Sequence, residues 1–237
     1  MSSAGGELCI KTYKLTRRQK GFWLIGIIAL VVFLDQVLKI WVKTQMNYGE
    51  EFAILGIQWA RIHFVENEGM AFGFTFGGVA GKLFLSIFRI AAVTFIGYIL
   101  YKLYTSGQSL GLLISLGLIF AGAMGNIIDS AFYGMIFSDS PVFGPTAEVF
   151  PEGGGYAPFL MGRVVDMLYF PLIDTQWPEW FPFFGGDRFQ FFKPVFNIAD
   201  ASITTGVISI LLFHRSFFHD GGEIFSKKRN KKEEETE

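Results

Sequence analysis

Reactive side chains other than carboxylates are scarce in this chain. Its one cysteine, Cys9, excludes an intrachain disulfide, a cysteine-based metal site and a paired redox motif. The three histidines, His63, His214 and His219, are dispersed, so they form neither a Ser-His-Asp set nor an HExxH-type zinc motif. Asp and Asn residues could hold a hard cation, but they lack dense ligand spacing. No metal and no cofactor is expected. Polar surface is scarce as well: 51% of the 237 residues are hydrophobic, 28 are Phe, and the mean hydropathy is +0.40. That is too apolar for a soluble domain of this length and reads as a membrane protein.

Four windows approach the ~20 apolar residues that cross a ~30 Å hydrocarbon layer: 21–42, 83–100, 110–128 and 195–213. The first is too long for a removable signal peptide, carries Asp35 and Lys39, and has no small-x-small cleavage site after it. The net charge of -1 conceals basic clusters at both ends, Lys11 to Lys20 and Lys227 to Lys232, and basic flanks favour the cytoplasm. Both termini are therefore expected inside, with the segment 214–237 a cytoplasmic tail. Segments 44–81 and 130–194 are then outside. The first alternates apolar and polar residues through Ile57–Val65, as a half-buried strand does. The second is rich in Gly, Pro and aromatics and shows too little pattern to fold alone; part of it should lie on the bilayer surface. The expected fold is one mainly α integral membrane domain over 1–237, with four transmembrane helices, a small extracytoplasmic sheet and an extended loop between the third and fourth helices.

Ionisable groups in these spans are expensive and usually face a protein interior or cavity. A rise of ~1.5 Å per residue puts Asp35 ~21 Å from the inner start of its span, in the outer leaflet. Asn126 and Asp129 close the third span, while Asn197 and Asp200 open the fourth. Each Asn-x-x-Asp pair shares a helical face. Asp166 lies outside and can fold back toward them. A polar pocket at one outer depth results, although Asn and Asp can also merely cap helices or join them by hydrogen bonds. Two close carboxyls share one proton, so that one activates water while the other polarises a carbonyl, which is aspartyl-protease chemistry. The alternative is a small proton-coupled transporter using the same carboxylates as a relay. Gly-x-Gly-Asp, the mark of presenilin-type peptidases, is absent.

Five ordered motifs carry a family resemblance. They are Asp35-Gln36-Val37-Leu38-Lys39, Asn67-Glu68-Gly69-Met70-Ala71-Phe72-Gly73, Gly125-Asn126-Ile127-Ile128-Asp129, Val164-Val165-Asp166 and Phe196-Asn197-Ile198-Ala199-Asp200. Together they resemble lipoprotein signal peptidase, or signal peptidase II, the aspartic endopeptidase of the bacterial inner membrane. The resemblance implies a catalytic dyad of Asp166 and Asp200. It implies that Asp35, Lys39, Asn67, Asn126, Asp129 and Asn197 shape the pocket, with Gly69 and Gly125 allowing close approach. The implied substrates are diacylglyceryl-modified prolipoproteins, cut on the amino side of the lipidated cysteine. Membrane lipid is a further partner; nucleic acid is not, and a monomer is expected. Two departures stand out. The family commonly has Arg after the Gly-Asn-x-x-Asp aspartate, where this chain has Ser130, which leaves Arg163, ahead of Arg89, as substitute. An insert, 134–161, also separates that motif from Val-Val-Asp, as a lid, a partner surface or a neutral elaboration.

Overall fold

The computed structural model describes residues 15–67 and 78–215, so Cys9, His219, Gly69 and most of the terminal charge lie outside the described residues. Helix α1 (Arg17–Gln45) opens on a capping box. The Thr16 hydroxyl accepts from the Gln19 N–H at 3.3 Å, and the Gln19 side chain accepts from the Thr16 N–H at 2.9 Å. Helix α2 (Gly78–Thr105) returns, and α3 (Leu110–Ile128) starts at a Ser109 cap. Among the described residues, three helices are long and apolar enough to cross a membrane: α1, α2 and α3 with its continuation to Ile136.

The fourth expected span is shorter than its sequence window. Helix α5 (Ile198–Phe213) has 16 residues, about 24 Å at the α-helical rise, because Asn197 caps it and Val195–Phe196 are taken into a strand. An apolar stretch cannot serve the sheet and the helix at once, and here the sheet takes its first two residues.

Helix α3 is the hub, packing on α1, α2 and α5. Its glycines set the spacing to α5: a Cβ at Gly122 would fall 2.2 Å from the Ala199 carbonyl oxygen. Close backbone approach through small residues is the usual way to pack helices where lipid offers no hydrophobic drive. Large apolar side chains on α1, α2 and α5, among them Phe22, Phe33, Phe84, Phe88, Phe95 and Leu212, point outward instead.

Strands β1 (Glu51–Ile54) and β2 (Ile57–Asn67) form a hairpin around Leu55-Gly56, both at positive φ, as a tight primed turn requires. The expected alternation holds: Ala60, Ile62 and Phe64 are buried, and Trp59, Arg61 and His63 take the opposite face. Beyond the expectation, the second outer segment supplies three strands and the start of the fourth expected span a further one. Strand β3 (Val164–Tyr169) pairs antiparallel with β2, and β6 (Val195–Phe196) pairs with β3, giving the order β1-β2-β3-β6. Strands β4 (Ile173–Gln176) and β5 (Arg188–Phe191) make a separate hairpin. The register that orders this segment comes from β2, about 100 positions earlier in the chain, so no local pattern announces it.

After Ile128 the third helix widens into a π-helical turn, Asp129–Tyr133, before a last α-turn, α4 (Gly134–Ile136). The wide turn frees carbonyl groups, and the end of the insert and the residue after it satisfy them: Gly162 donates to the Ser130 oxygen at 2.8 Å and Leu160 to that of Ala131 at 3.3 Å. Phe137, Ala147 and Tyr156 of the insert pack in one core with Val42, Phe64, Tyr133 and Met167. The insert is thus built into the fold rather than laid over it.

Candidate active site

Two aspartates meet where α3, α5 and β3 converge. Asp166 sits in the middle of β3, almost wholly buried, and Asp200 occupies the first turn of α5. Asn197 joins them. Its Oδ1 accepts from the Asp200 backbone N–H at 2.9 Å, the N-cap bond, and its Nδ2 donates to Asp166 Oδ1 at 2.7 Å. A backbone N–H can only donate, so the cap fixes which way the amide points and aims Nδ2 at Asp166.

Asn126 is oriented by the same logic. Its Oδ1 accepts from the Lys39 ammonium at 3.0 Å and from Asn197 Nδ2 at 3.1 Å, which leaves its own Nδ2 to donate to Asp200 Oδ1 at 2.8 Å. Asn67, at the end of β2, donates to Asp166 Oδ2. Each aspartate therefore receives side-chain amide hydrogen bonds and keeps capacity for a water or a substrate group.

Behind the pair stands a fully buried ion cluster. Lys39 pairs with Asp35 at 2.9 Å and Asp129 at 2.8 Å, one cation between two carboxylates. Asp35 Oδ1 also accepts from the Ala199 N–H at 2.9 Å, and Asp129 Oδ2 from the Val165 N–H at 3.3 Å. The cluster thereby holds both α5 and β3 by their backbones, one residue away from each aspartate of the pair. Gly125 is required sterically, since a Cβ there would lie 2.6 Å from Asp35 Oδ2.

The structure brings together Asp35, Lys39, Asn67, Gly125, Asn126, Asp129, Asp166, Asn197 and Asp200, all singled out in the sequence. Gln36 was not singled out. Its Nε2 donates to Asp129 Oδ1 at 2.9 Å and Asp35 Oδ2 at 3.2 Å, and its Oε1 accepts from the Tyr133 hydroxyl at 3.2 Å. Its spacing signals the role, since Gln36, Lys39 and Lys43 follow one helical stripe.

The two candidate arginines part ways. Arg163 pairs with Glu66 at 3.1 Å and Asp139 at 2.6 Å, and its hydrogen bond is the main cause holding the Asp139 carboxyl below the usual range. Arg89, on α2, instead places Nη1 3.4 Å from Ser130 Oγ, where its charge acts on Asp200, Asp129 and Asp166. The structure therefore sets Arg89, not Arg163, beside the position where the resemblance expects an arginine. The Asp166 carboxyl is pushed up to about 7, first by burial and then by the charge of Asp200. Burial and the neighbouring carboxylate both favour the protonated form of Asp166. Among the described residues there is no grouping of His, Cys, Asp and Glu able to hold a metal ion.

The chain is similar to known proteins. A lipoprotein signal peptidase of Porphyromonas gingivalis is 51% identical over 199 residues, covering 84% of this chain and 85% of its own length. One from Amoebophilus asiaticus is 38% identical over 81% of this chain and 77% of its own. A solved bacterial membrane enzyme is 26% identical over 84% of this chain and 90% of its own, with a TM-score of 0.49. The family model for signal peptidase (SPase) II matches residues 27–217, and on that match and these relatives the chain belongs to the signal peptidase II family.

Proposed function

We propose that Asp166 and Asp200 form the cutting dyad of this peptidase, with Asn67, Asn126 and Asn197 aligning them and Asp35, Lys39 and Asp129 bracing the elements that carry them. As a signal peptidase II, the chain is an aspartic-type enzyme that removes signal peptides from lipoproteins. The transporter alternative is set aside. The observation that carries the dyad is the Asn197 side chain, which holds Asp166 and the backbone of Asp200 at once.

The chemistry follows from one shared proton. The ionised carboxylate takes a proton from water as its oxygen attacks the scissile carbonyl carbon, and the protonated partner donates to the carbonyl oxygen. Collapse of the tetrahedral intermediate breaks the C–N bond, and the leaving amine, that of the lipidated cysteine, takes up a proton from the dyad. Lys39 lies between Asp35 and Asp129 and offsets one of their two charges. Arg89 adds positive charge near that pair and takes the place of the arginine expected after Asp129.

In this reading α1, α2, α3 and the shorter α5 are four spans, with both termini cytoplasmic and the dyad at the outer leaflet. The π-helical turn, the insert and the sheet then sit at the outer surface, where the end of a translocated signal helix arrives. The substrates are diacylglyceryl-modified prolipoproteins and the enzyme acts as a monomer. The test is to incubate the purified chain with a modified precursor and with its unmodified form. Release of the signal peptide from the modified form alone is expected; equal cleavage of both would overturn the substrate assignment.

A further inference from the structure

A second cavity lies away from the dyad, between the main sheet and the β4–β5 hairpin. It has a volume of about 270 Å³ and is lined by Arg61, His63, Tyr169, Arg188 and Lys193, with Glu51 as its one carboxylate. Three permanent cations thus face one anion. Arg61 pairs with Glu51 at 2.8 Å and Arg188 pairs with Asp174, whereas Lys193 has no ion pair among the described residues. His63 Nδ1 is buried without a hydrogen-bond partner, although Glu51 Oε2 lies 3.4 Å away. The Gln190 side chain donates to the Tyr169 hydroxyl and ties the hairpin to the sheet across the cavity.

Directly beside it is an apolar pit, also about 270 Å³, lined by Trp59, Phe170, Leu172, Phe192 and Phe196. The two linings are chain neighbours: Tyr169 precedes Phe170, Phe192 precedes Lys193, and Arg61 follows Trp59 by two along β2. Phe192 takes φ +64, an unfavourable backbone for an aromatic residue, and its ring meets Phe196 edge-on at 6.0 Å. A basic cavity flush with an aromatic pit suits an amphiphile with an anionic head and an alkyl tail.

Depth selects which amphiphile. Phe196 directly precedes the cap of α5, so the pit opens where that helix begins its apolar run. The tip of the β4–β5 hairpin exposes Trp180, Phe183 and Phe184, side chains suited to the headgroup level. We infer that the paired cavity and pit hold one anionic phospholipid, its phosphate among Lys193, Arg61 and Arg188 and the upper part of an acyl chain against Trp59, Phe170 and Phe192. This lipid site is separate from the dyad and independent of its assignment.

The test uses the full chain in nanodiscs of phosphatidylcholine doped with phosphatidylglycerol, with retained lipid counted by native mass spectrometry. One phosphatidylglycerol per protein is expected in preference to phosphatidylcholine. Lys193→Glu should weaken retention by more than about tenfold, since each cation near a lipid surface is worth about fivefold in affinity. Trp59→Ala should weaken it as well, and both variants should unfold at the wild-type temperature. Equal retention of the two lipids, or no response to Lys193→Glu, would overturn the site. Displacement by inorganic phosphate as effective as by phosphatidylglycerol would mean a bare anion pocket and remove the pit from the assignment. Unchanged lipid retention with selective loss of cleavage of precursors bearing acidic residues after the cysteine would reassign the surface to peptide.

Discussion

Lys39 and Lys43 lie one turn apart on α1, both fully buried, yet they serve different kinds of cluster. Lys39 stands among carboxylates that outnumber cations: Asp35 and Asp129 touch it, and Asp166 and Asp200 lie just beyond. Lys43 belongs to a balanced set. It pairs with Glu66 and hydrogen-bonds Ser140 at 2.9 Å, while Arg163 closes the set onto Glu66 and Asp139, and Tyr156 lies beneath both cations. Two cations against two carboxylates leave nothing to protonate. The excess of carboxylate over cation, rather than burial itself, separates chemistry from fastening.

The contrast breaks most visibly at the dyad. Asp166→Asn or Asp200→Asn should each lower cleavage of a lipidated precursor by at least about 10³-fold while leaving the protein folded in membranes, because asparagine keeps the shape and loses the proton exchange. Near-normal cleavage by either variant would remove that aspartate from the dyad. Next in size is Lys39→Met, which strands two buried carboxylates and should cost about 3–5 kcal/mol. Adding Asp35→Asn and Asp129→Asn should restore much of the folding in a detergent melt; no restoration would mean that Lys39 supports the helix by packing alone.

Lys43→Met should cost less, about 2–3 kcal/mol, since Arg163 still faces Glu66. Cleavage per folded molecule should stay close to wild type, and a collapse of that specific activity would join the two clusters into one functional unit. The pH response is a graded effect rather than an all-or-none one. With Asp166 raised to about 7, the pair loses its shared proton as pH rises past that point, so kcat/KM should fall about tenfold per unit above it. The raised carboxyl also binds its proton more tightly in the folded state. Its contribution to stability therefore declines from about pH 4, where the unfolded chain releases the proton, up to about 7. Asp166→Asn should flatten that slope in melts taken across the window.

Much of the site was legible because its residues obey helical spacing. Asp35 with Lys39, Asn126 with Asp129, and Asn197 with Asp200 each fall three or four apart on elements that hydropathy reveals. The balanced cluster was not legible. Lys43 and Glu66 are 23 positions apart, and Asp139 comes from an insert whose path is set by hydrogen bonds to a π-helical turn, with Arg163 just after it. Arg89 was overshadowed by Arg163 because adjacency to Asp166 in sequence says nothing of direction: Arg163 precedes β3 and turns toward Glu66, while α2 carries Arg89 to Ser130. The sheet split in the same way. Strand β2 announces itself by alternation, but β3 and β6 are defined by partners that only the fold supplies.

The double duty of Asn197 ties the start of helix α5 to the proposed pair of aspartates. The bond that caps the helix fixes the amide that grips Asp166. Undocking α5 would therefore part the two carboxyls that the proposed chemistry needs side by side.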